Sequence, residues 1–168
     1  MNSIIKKNIE EWSKHPFCDD TQKKLNHLKN DKARLTDAFY KNLEFGTGGM
    51  RGLMGIGTNR INKYTIGKNT QGISNFINRN FDKNKSVVIA HDCRHNSSEL
   101  AKVVADVFSA NSIKSFLFSD LRPTPELSYA VRKLNCICGI VLTASHNPPE
   151  YNGFKVYWKD GGLSLIHI

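Results

Sequence analysis

The sequence predicts an α/β domain: three layers built on a mainly parallel sheet with right-handed βαβ crossovers, preceded by a helical N-terminal extension. Three observations carry that expectation. Short apolar runs at 86–90, 113–118 and 137–142 alternate with stretches whose apolar residues recur at helical spacing. These runs are largely apolar, the pattern of strands buried on both faces by helices. The first 43 residues carry helical periodicity only.

Taken in order, Ile4, Ile5, Ile9 and Trp12 share one helical face before His15-Pro16 interrupts it. Thr21 is placed to cap a helix holding Leu25 and Leu28, and Leu35, Ala38, Phe39 and Leu43 stripe the next. Residues 45–57 then hold six glycines, at 46, 48, 49, 52, 55 and 57. Such a stretch permits left-handed backbone and brings bare amides close to a ligand, with the Arg51 guanidinium in its midst, so it reads as an oxyanion cradle. The alternative is a tight hairpin whose arginine meets surface carboxylates. It is neither a Walker loop nor a dinucleotide fingerprint, because Gly-Lys-Ser/Thr is absent and Arg51 stands where the last glycine of the latter belongs.

Thr65 is expected to cap a helix running to Phe81, with Ile66, Ile73, Phe76 and Ile77 inward. After the first strand, Asn96 with Glu99 makes a capping-box-like start for a helix through Leu100, Val103, Val104, Val107 and Phe108. After the second, Thr124 caps and Pro125 opens a helix carrying Leu127, Val131 and Leu134. The expected organisation is a helical extension over 1–43, an α/β/α domain over 44–162 and a non-native tail over 163–168.

The formal net charge is +9, from 24 Lys and Arg against 15 Asp and Glu, which favours an anionic partner. No run of five basic residues occurs and aromatics are not interleaved with cations, so no nucleic acid is expected. The apolar runs are too short for a membrane span, and residues 1–8 lack a secretory h-region, so a cytoplasmic location is expected. Cys18, Cys93, Cys136 and Cys138 lack zinc spacing and read as reduced thiols, with Cys136 and Cys138 on one strand face.

The strand at 137–142 runs into Thr143-Ala144-Ser145-His146-Asn147-Pro148-Pro149, so Ser145 and His146 stand where a parallel sheet binds ligands. The ends of the other two strands carry Asp92, Arg94 and Arg122, and both arginines are expected to face the Ser145 loop. For Asp92 and Arg94 the local alternative is a simple pair. A hydrolase is disfavoured, because His146 adjoins Ser145 in sequence and no GxSxG elbow is present. A serine in a basic, glycine-lined cleft suits a phosphoryl carrier, with charge neutralised by Arg51, Lys155, amides and a divalent cation. The non-enzymatic readings are a basic phosphate- or nucleic-acid-binding module and an inactive truncated remnant.

Residues 143–148 with Asn152-Gly153-Phe154-Lys155, the glycine stretch from Phe45 to Gly52, and Asp92-Cys93-Arg94-His95-Asn96-Ser97 together resemble the α-D-phosphohexomutase superfamily, of phosphoglucomutase/phosphopentomutase type. The resemblance spans residues 40–160 and implies reversible transfer of phosphate between the 1-hydroxyl and the terminal hydroxyl of a sugar phosphate. It implies that Ser145 is the phosphoserine, that its phosphate supplies a Mg²⁺ ligand, and that a sugar bisphosphate of the glucose 1,6-bisphosphate type is intermediate and activator. By the same resemblance Arg51 and Arg94 bind substrate phosphate, while His146 and Lys155 are acid/base or positioning groups. The family's other three domains, with the metal loop and the sugar-recognition loop, are expected to follow; no Asp-x-Asp-x-Asp-Arg segment occurs here, and this sequence stops at Ile168.

Overall fold

In the computed structural model, which describes residues 3–164, five strands form one sheet. They are β1 (Met50–Leu53), β2 (Ser86–His91), β3 (Lys114–Leu117), β4 (Cys138–Leu142) and β5 (Tyr151–Trp158), in the order β1-β5-β4-β2-β3. The three runs read from the sequence are the parallel strands: β2 pairs with β4 on one side and with β3, the sheet edge, on the other. To these the chain adds two antiparallel strands where the sequence reads as loop, β5 against β4 and β1 against β5. The Asn152-Gly153 step is a strong turn signal in isolation, but Asn152 is buried and its amide is spent on His95 O and Ser97 Oγ. Tertiary bonding overrides the local preference.

Helices α4 (Lys63–Asn80) and α5 (Ser97–Ala110) cover one face of the sheet, over a core that includes Ile66, Phe108, Ile140 and Phe154. Helix α6 (Thr124–Lys133) covers the other, where Leu127 and Val131 meet Val88, Ala90 and Val141. Burying each large side chain of this kind contributes about 1.5–3 kcal/mol. Along β5 the faces alternate: Phe154 and Val156 enter the α4/α5 core, so Gly153 and Lys155 lie on the α6 face.

Helices α1 (Ser3–Trp12), α2 (Asp19–Leu28) and α3 (Lys32–Phe39) form their own cluster around Trp12, Leu25 and Phe39. Ile56 and Tyr64 of the following segment close it. Ala38 O accepts from Asn59 N at 2.9 Å, and a Cβ on Gly57 would lie 2.4 Å from that same oxygen, so glycine is required at this crossing. Leu43 lies beyond the end of α3 and packs against the main core instead of striping the helix.

Several caps differ from expectation. Helix α2 begins before Thr21, which is buried inside its first turn. Asn62 caps α4, with Thr65 as the reciprocal partner of a capping box. Asn96 adopts a left-handed φ of 60° and makes no side-chain cap, because its amide turns towards Met54 Sδ at 3.6 Å. Pro123, not Thr124, holds the cap position of α6. Phe76 is 37% exposed and packs on the edge of Trp158. Leu163 bridges to Tyr157, while residues 165–168 of the expected tail lie outside the described residues.

All four cysteines are free thiols. Cys136 and Cys138 enter different cores, because Cys136 precedes β4 and escapes its alternation; burial pushes both thiols up. Cys18, exposed before α2, lies 3.3 Å from Thr21 Oγ1 and accepts from Lys63 Nζ at 3.3 Å. The Thr21 hydroxyl, then Tyr64, the Thr21 amide and Lys63, lower its thiol to about 6. Alkylation of Cys18 should therefore be half-maximal near pH about 6. Thr21→Val, which removes the leading thiolate partner, should move that midpoint upward; an unchanged profile would show that the hydroxyl does not hold the thiolate.

Candidate active site

Thr143 and Ala144 continue β4 below the surface, and the chain then emerges with Ser145 exposed at φ 58°. A left-handed non-glycine residue costs roughly 1–2 kcal/mol, so neighbouring bonds must hold it. They are present. Ser145 N donates to Thr143 Oγ1 at 3.1 Å, Asn147 N to Ala144 O at 3.1 Å and Tyr151 N to Pro148 O at 3.0 Å. Among the described residues none hydrogen-bonds Ser145 Oγ, and the ring of His146, on the same exposed loop, is equally without a bond.

Register places Arg51 and Lys155 on one face of the strands next to this loop. Thr143 N donates to Gly153 O at 3.1 Å, and Gly153 stands opposite Arg51 in the β1–β5 pair. A Cβ on Gly153 would lie 2.6 Å from Thr143 O and 2.7 Å from Met50 O, so only a bare α-carbon allows the three chains to close up. Two residues along β5 on the same face, Lys155 pairs with Val141. The glycine stretch is partly the hairpin alternative: Gly46 and Gly49 exchange backbone bonds at 3.1 and 3.2 Å around Thr47-Gly48. Yet that hairpin lies on the lysine, since a Cβ on Gly49 would sit 2.9 Å from Lys155 Cγ. Arg51 makes no ion pair among the described residues, so its charge stays available.

Burial, reinforced by the Arg51 charge and opposed by Asp92, holds the Lys155 ammonium below the ordinary lysine range. Arg51→Met should raise the Lys155 midpoint in an NMR titration, because a neighbouring cation disfavours the charged form. A midpoint that stays or falls would show that the two side chains do not sense each other.

Arg94 reaches the loop from the β2 side and bonds its carbonyls. Its Nη1 donates to Pro148 O and Tyr151 O at 2.8 and 3.0 Å, and its Nη2 to Ser145 O and Asn147 O at 2.9 and 2.6 Å. Its Nε lies 3.4 Å from Asp92 Oδ2, so the expected local pair also forms. Arg122 is not brought to the loop; its Nε pairs with Glu126 at 3.2 Å. Thr143, Ser97 and Asn152 stand within the motifs quoted above, but no role for them was read from the sequence. Asn152 Nδ2 donates to Ser97 Oγ at 2.9 Å, and Ser97 Oγ to Asp92 Oδ1 at 2.8 Å. The signal available was the presence of small polar residues within otherwise apolar strand and helix starts.

The donor set around Ser145 does not make a metal site by itself. Among the described residues no three His, Cys, Asp or Glu side chains cluster, and Arg51 and Lys155 are cations. A groove of about 980 Å³ lies elsewhere, between α2, α3 and the segment from Leu53 to Tyr64, while Ser145 stands on an open surface.

Fold and site together define a class: an α/β/α domain that presents an exposed serine at a strand end, with an unpaired arginine and a half-buried lysine on the strands next to it. Residues 42–165 match the family profile described as phosphoglucomutase/phosphomannomutase, alpha/beta/alpha domain I, and the chain belongs to that family. It is 46% identical over 125 residues to a phosphoglucomutase of Staphylococcus aureus strain bovine RF122 / ET3-1, covering 74% of this chain and 22% of that protein. The phosphoglucomutase of strain MRSA252 matches equally, at 46% over 125 residues and the same coverage. Among solved structures, one described as a phosphomannomutase from Thermus thermophilus superposes with a TM-score of 0.68 at 31% identity, over 74% of this chain and 27% of that one. A phosphoglucomutase/phosphomannomutase family protein from Burkholderia thailandensis gives 0.61 at 25% identity, over 71% and 27%. The chain thus spans about a quarter or less of the length of these relatives, and helices α1 to α3 precede the matched residues. No helix among the described residues is long and apolar enough to cross a membrane.

Proposed function

We propose that this chain is the serine-bearing domain of a sugar-phosphate mutase and that Ser145 carries the migrating phosphoryl group. The observation that supports this best is the presentation of Ser145: exposed, held left-handed, with no base on its hydroxyl, at the end of the strand whose antiparallel partner carries Lys155 and pairs in turn with Arg51. A hydrolase serine would need a base in contact, whereas a phosphoryl carrier needs access and positive charge.

In this reading phosphoserine 145 passes PO₃ to a free hydroxyl of a hexose phosphate: the Oγ–P bond breaks, a sugar O–P bond forms, and the hydroxyl proton leaves to a base. Lys155, held below its ordinary range, is the group suited to take or return that proton at a pH where it is partly neutral. Arg51 neutralises charge on the transferring group, and the glycine hairpin lets backbone approach it. Return of phosphate from the other end of the sugar bisphosphate regenerates the phosphoserine. Glucose phosphate is the proposed substrate, following the names of the relatives. Magnesium, which neutralises phosphate charge when bound, would meet the Ser145 phosphate here and take its other ligands from outside the described residues.

The site lies on an open face, so the reading requires the remaining part of a full-length mutase to complete the cleft and makes turnover by these residues alone negligible. The test is intact mass spectrometry after incubation with glucose 1,6-bisphosphate and magnesium, together with a polypeptide supplying the downstream domains. One phosphoryl adduct mapping to Ser145 is expected; no adduct, or an adduct elsewhere, overturns the assignment.

A further inference from the structure

We propose that Arg94 is the positioning residue of the Ser145 loop: its guanidinium binds the loop's own carbonyls and holds the serine in its left-handed presentation, in place of touching substrate. The proposal deepens the reading of Ser145 as phosphoryl carrier and rests on it for its consequence in catalysis.

The geometry is specific to a planar fork. Two terminal nitrogens deliver four bonds of 2.6–3.0 Å to the carbonyls of residues 145, 147, 148 and 151. The side chain is 13% exposed, and its third nitrogen is turned to Asp92. No terminal N–H remains to meet a phosphate. A lysine carries the same charge, yet its compact ammonium has three donors and cannot span four carbonyls along this loop.

The guanidinium is itself fixed from behind. Asp92 Oδ1 accepts from Arg94 N at 2.9 Å and from Ser97 Oγ at 2.8 Å, and Ser97 in turn accepts from buried Asn152. Asn152 Oδ1 accepts from Gly153 N at 2.8 Å, next to the register that sets Arg51 and Thr143. The β2–α5 turn, the start of α5 and β5 therefore converge on one side chain, which passes their order to a loop outside the sheet. Two of the four bonded carbonyls, Ser145 O and Asn147 O, flank His146. Arg94 thus acts on the backbone torsions that aim both exposed side chains.

The experiment uses the 168-residue chain without ligand, so its outcome does not depend on whether Ser145 accepts phosphate. Amide hydrogen exchange and the Cα and Cβ shifts of Ser145 are compared in wild type, Arg94→Lys and Arg94→Gln. Exchange at residues 145–151 should rise by about tenfold or more in both variants. Exchange at Ile89 and Ile140 in the sheet should hold, and the Ser145 shifts should leave left-handed values. Asp92→Asn, which keeps shape but weakens the anchor, should give a smaller rise confined to the same residues. A second arm titrates inorganic phosphate against each protein. The proposal is overturned if loop exchange and Ser145 shifts are unchanged, if Arg94→Lys behaves as wild type in the loop, or if sheet and loop exchange rise together. Loss of phosphate binding with an ordered loop also overturns it, since that identifies a direct ligand contact. A failed phosphoryl adduct in the mass experiment, with these exchange results obtained, would remove the carrier reading and leave the clamp.

Discussion

Gly153→Ala should destabilise the protein by more than about 3 kcal/mol. The new Cβ would stand 2.6 Å from Thr143 O and 2.7 Å from Met50 O. Both obstacles are main chain, and both belong to segments pinned to β5, through Thr143 N to Gly153 O and through the Arg51–Gly153 pair. No rotamer change relieves such a contact; the sheet must open on one side or the other. Because the added group is apolar and small, little hydrophobic gain offsets the strain. Gly72→Ala supplies the control. It lies in α4, where an added methyl would meet nothing within 4 Å, and alanine there should stabilise by about 0.5–1 kcal/mol. Chemical denaturation reads both, and a Gly153→Ala loss below about 1 kcal/mol would show that β1 is free to shift away without cost.

The sequence made the parallel strands legible because β2 and β4 are nearly continuous apolar runs, and β3, with Lys114 and Ser115 at the sheet edge, is set off from them by well-formed helical periods. β1 and β5 were not legible as strands. β1 is four residues interrupted by Gly52, and β5 opens on Tyr151-Asn152-Gly153, with the turn signal inside it. Their strand character comes from pairing with β4 and with each other, a non-local cause. The same holds for the caps: Asn96 has the right residue type and spacing, but its side chain is drawn to Met54 across the loop.

At the site, motif order put Arg51, Arg94 and Lys155 among the candidates, whereas the partners of Arg94 were not readable. Residue type announces a cation; only the distances show that its donors are taken by carbonyls 51 to 57 positions away. The relay through Asn152 and Ser97 was not readable for a related reason, since a buried polar relay has no periodicity and is recognised only when its partners are known.

Ser145→Ala should abolish phosphoryl acceptance while leaving the fold intact. Alanine lacks the only oxygen proposed to bond phosphorus, so the loss is of the covalent step and not of a contribution to it. Structurally the exchange is mild. The side chain is exposed, none of the described residues hydrogen-bonds its hydroxyl, and the bonds that hold the turn run through Ser145 N and Ser145 O, which alanine keeps. Serine and alanine meet the same steric resistance at φ 58°, so stability should change by less than about 1 kcal/mol. Ser145→Gly separates strain from chemistry: it relieves the left-handed backbone, should hold or raise stability, and should be equally unable to carry phosphate. Lys155→Met should retain a phosphorylatable serine with slowed transfer, because it removes a proton carrier and not the acceptor atom. The measurement is acid-stable phosphate on each variant after exposure to glucose 1,6-bisphosphate and magnesium with the downstream domains supplied, alongside a denaturation curve. Phosphate persisting on folded Ser145→Ala would place the carrier at another residue, and loss of phosphate with loss of fold would trace the defect to the loop instead of the hydroxyl.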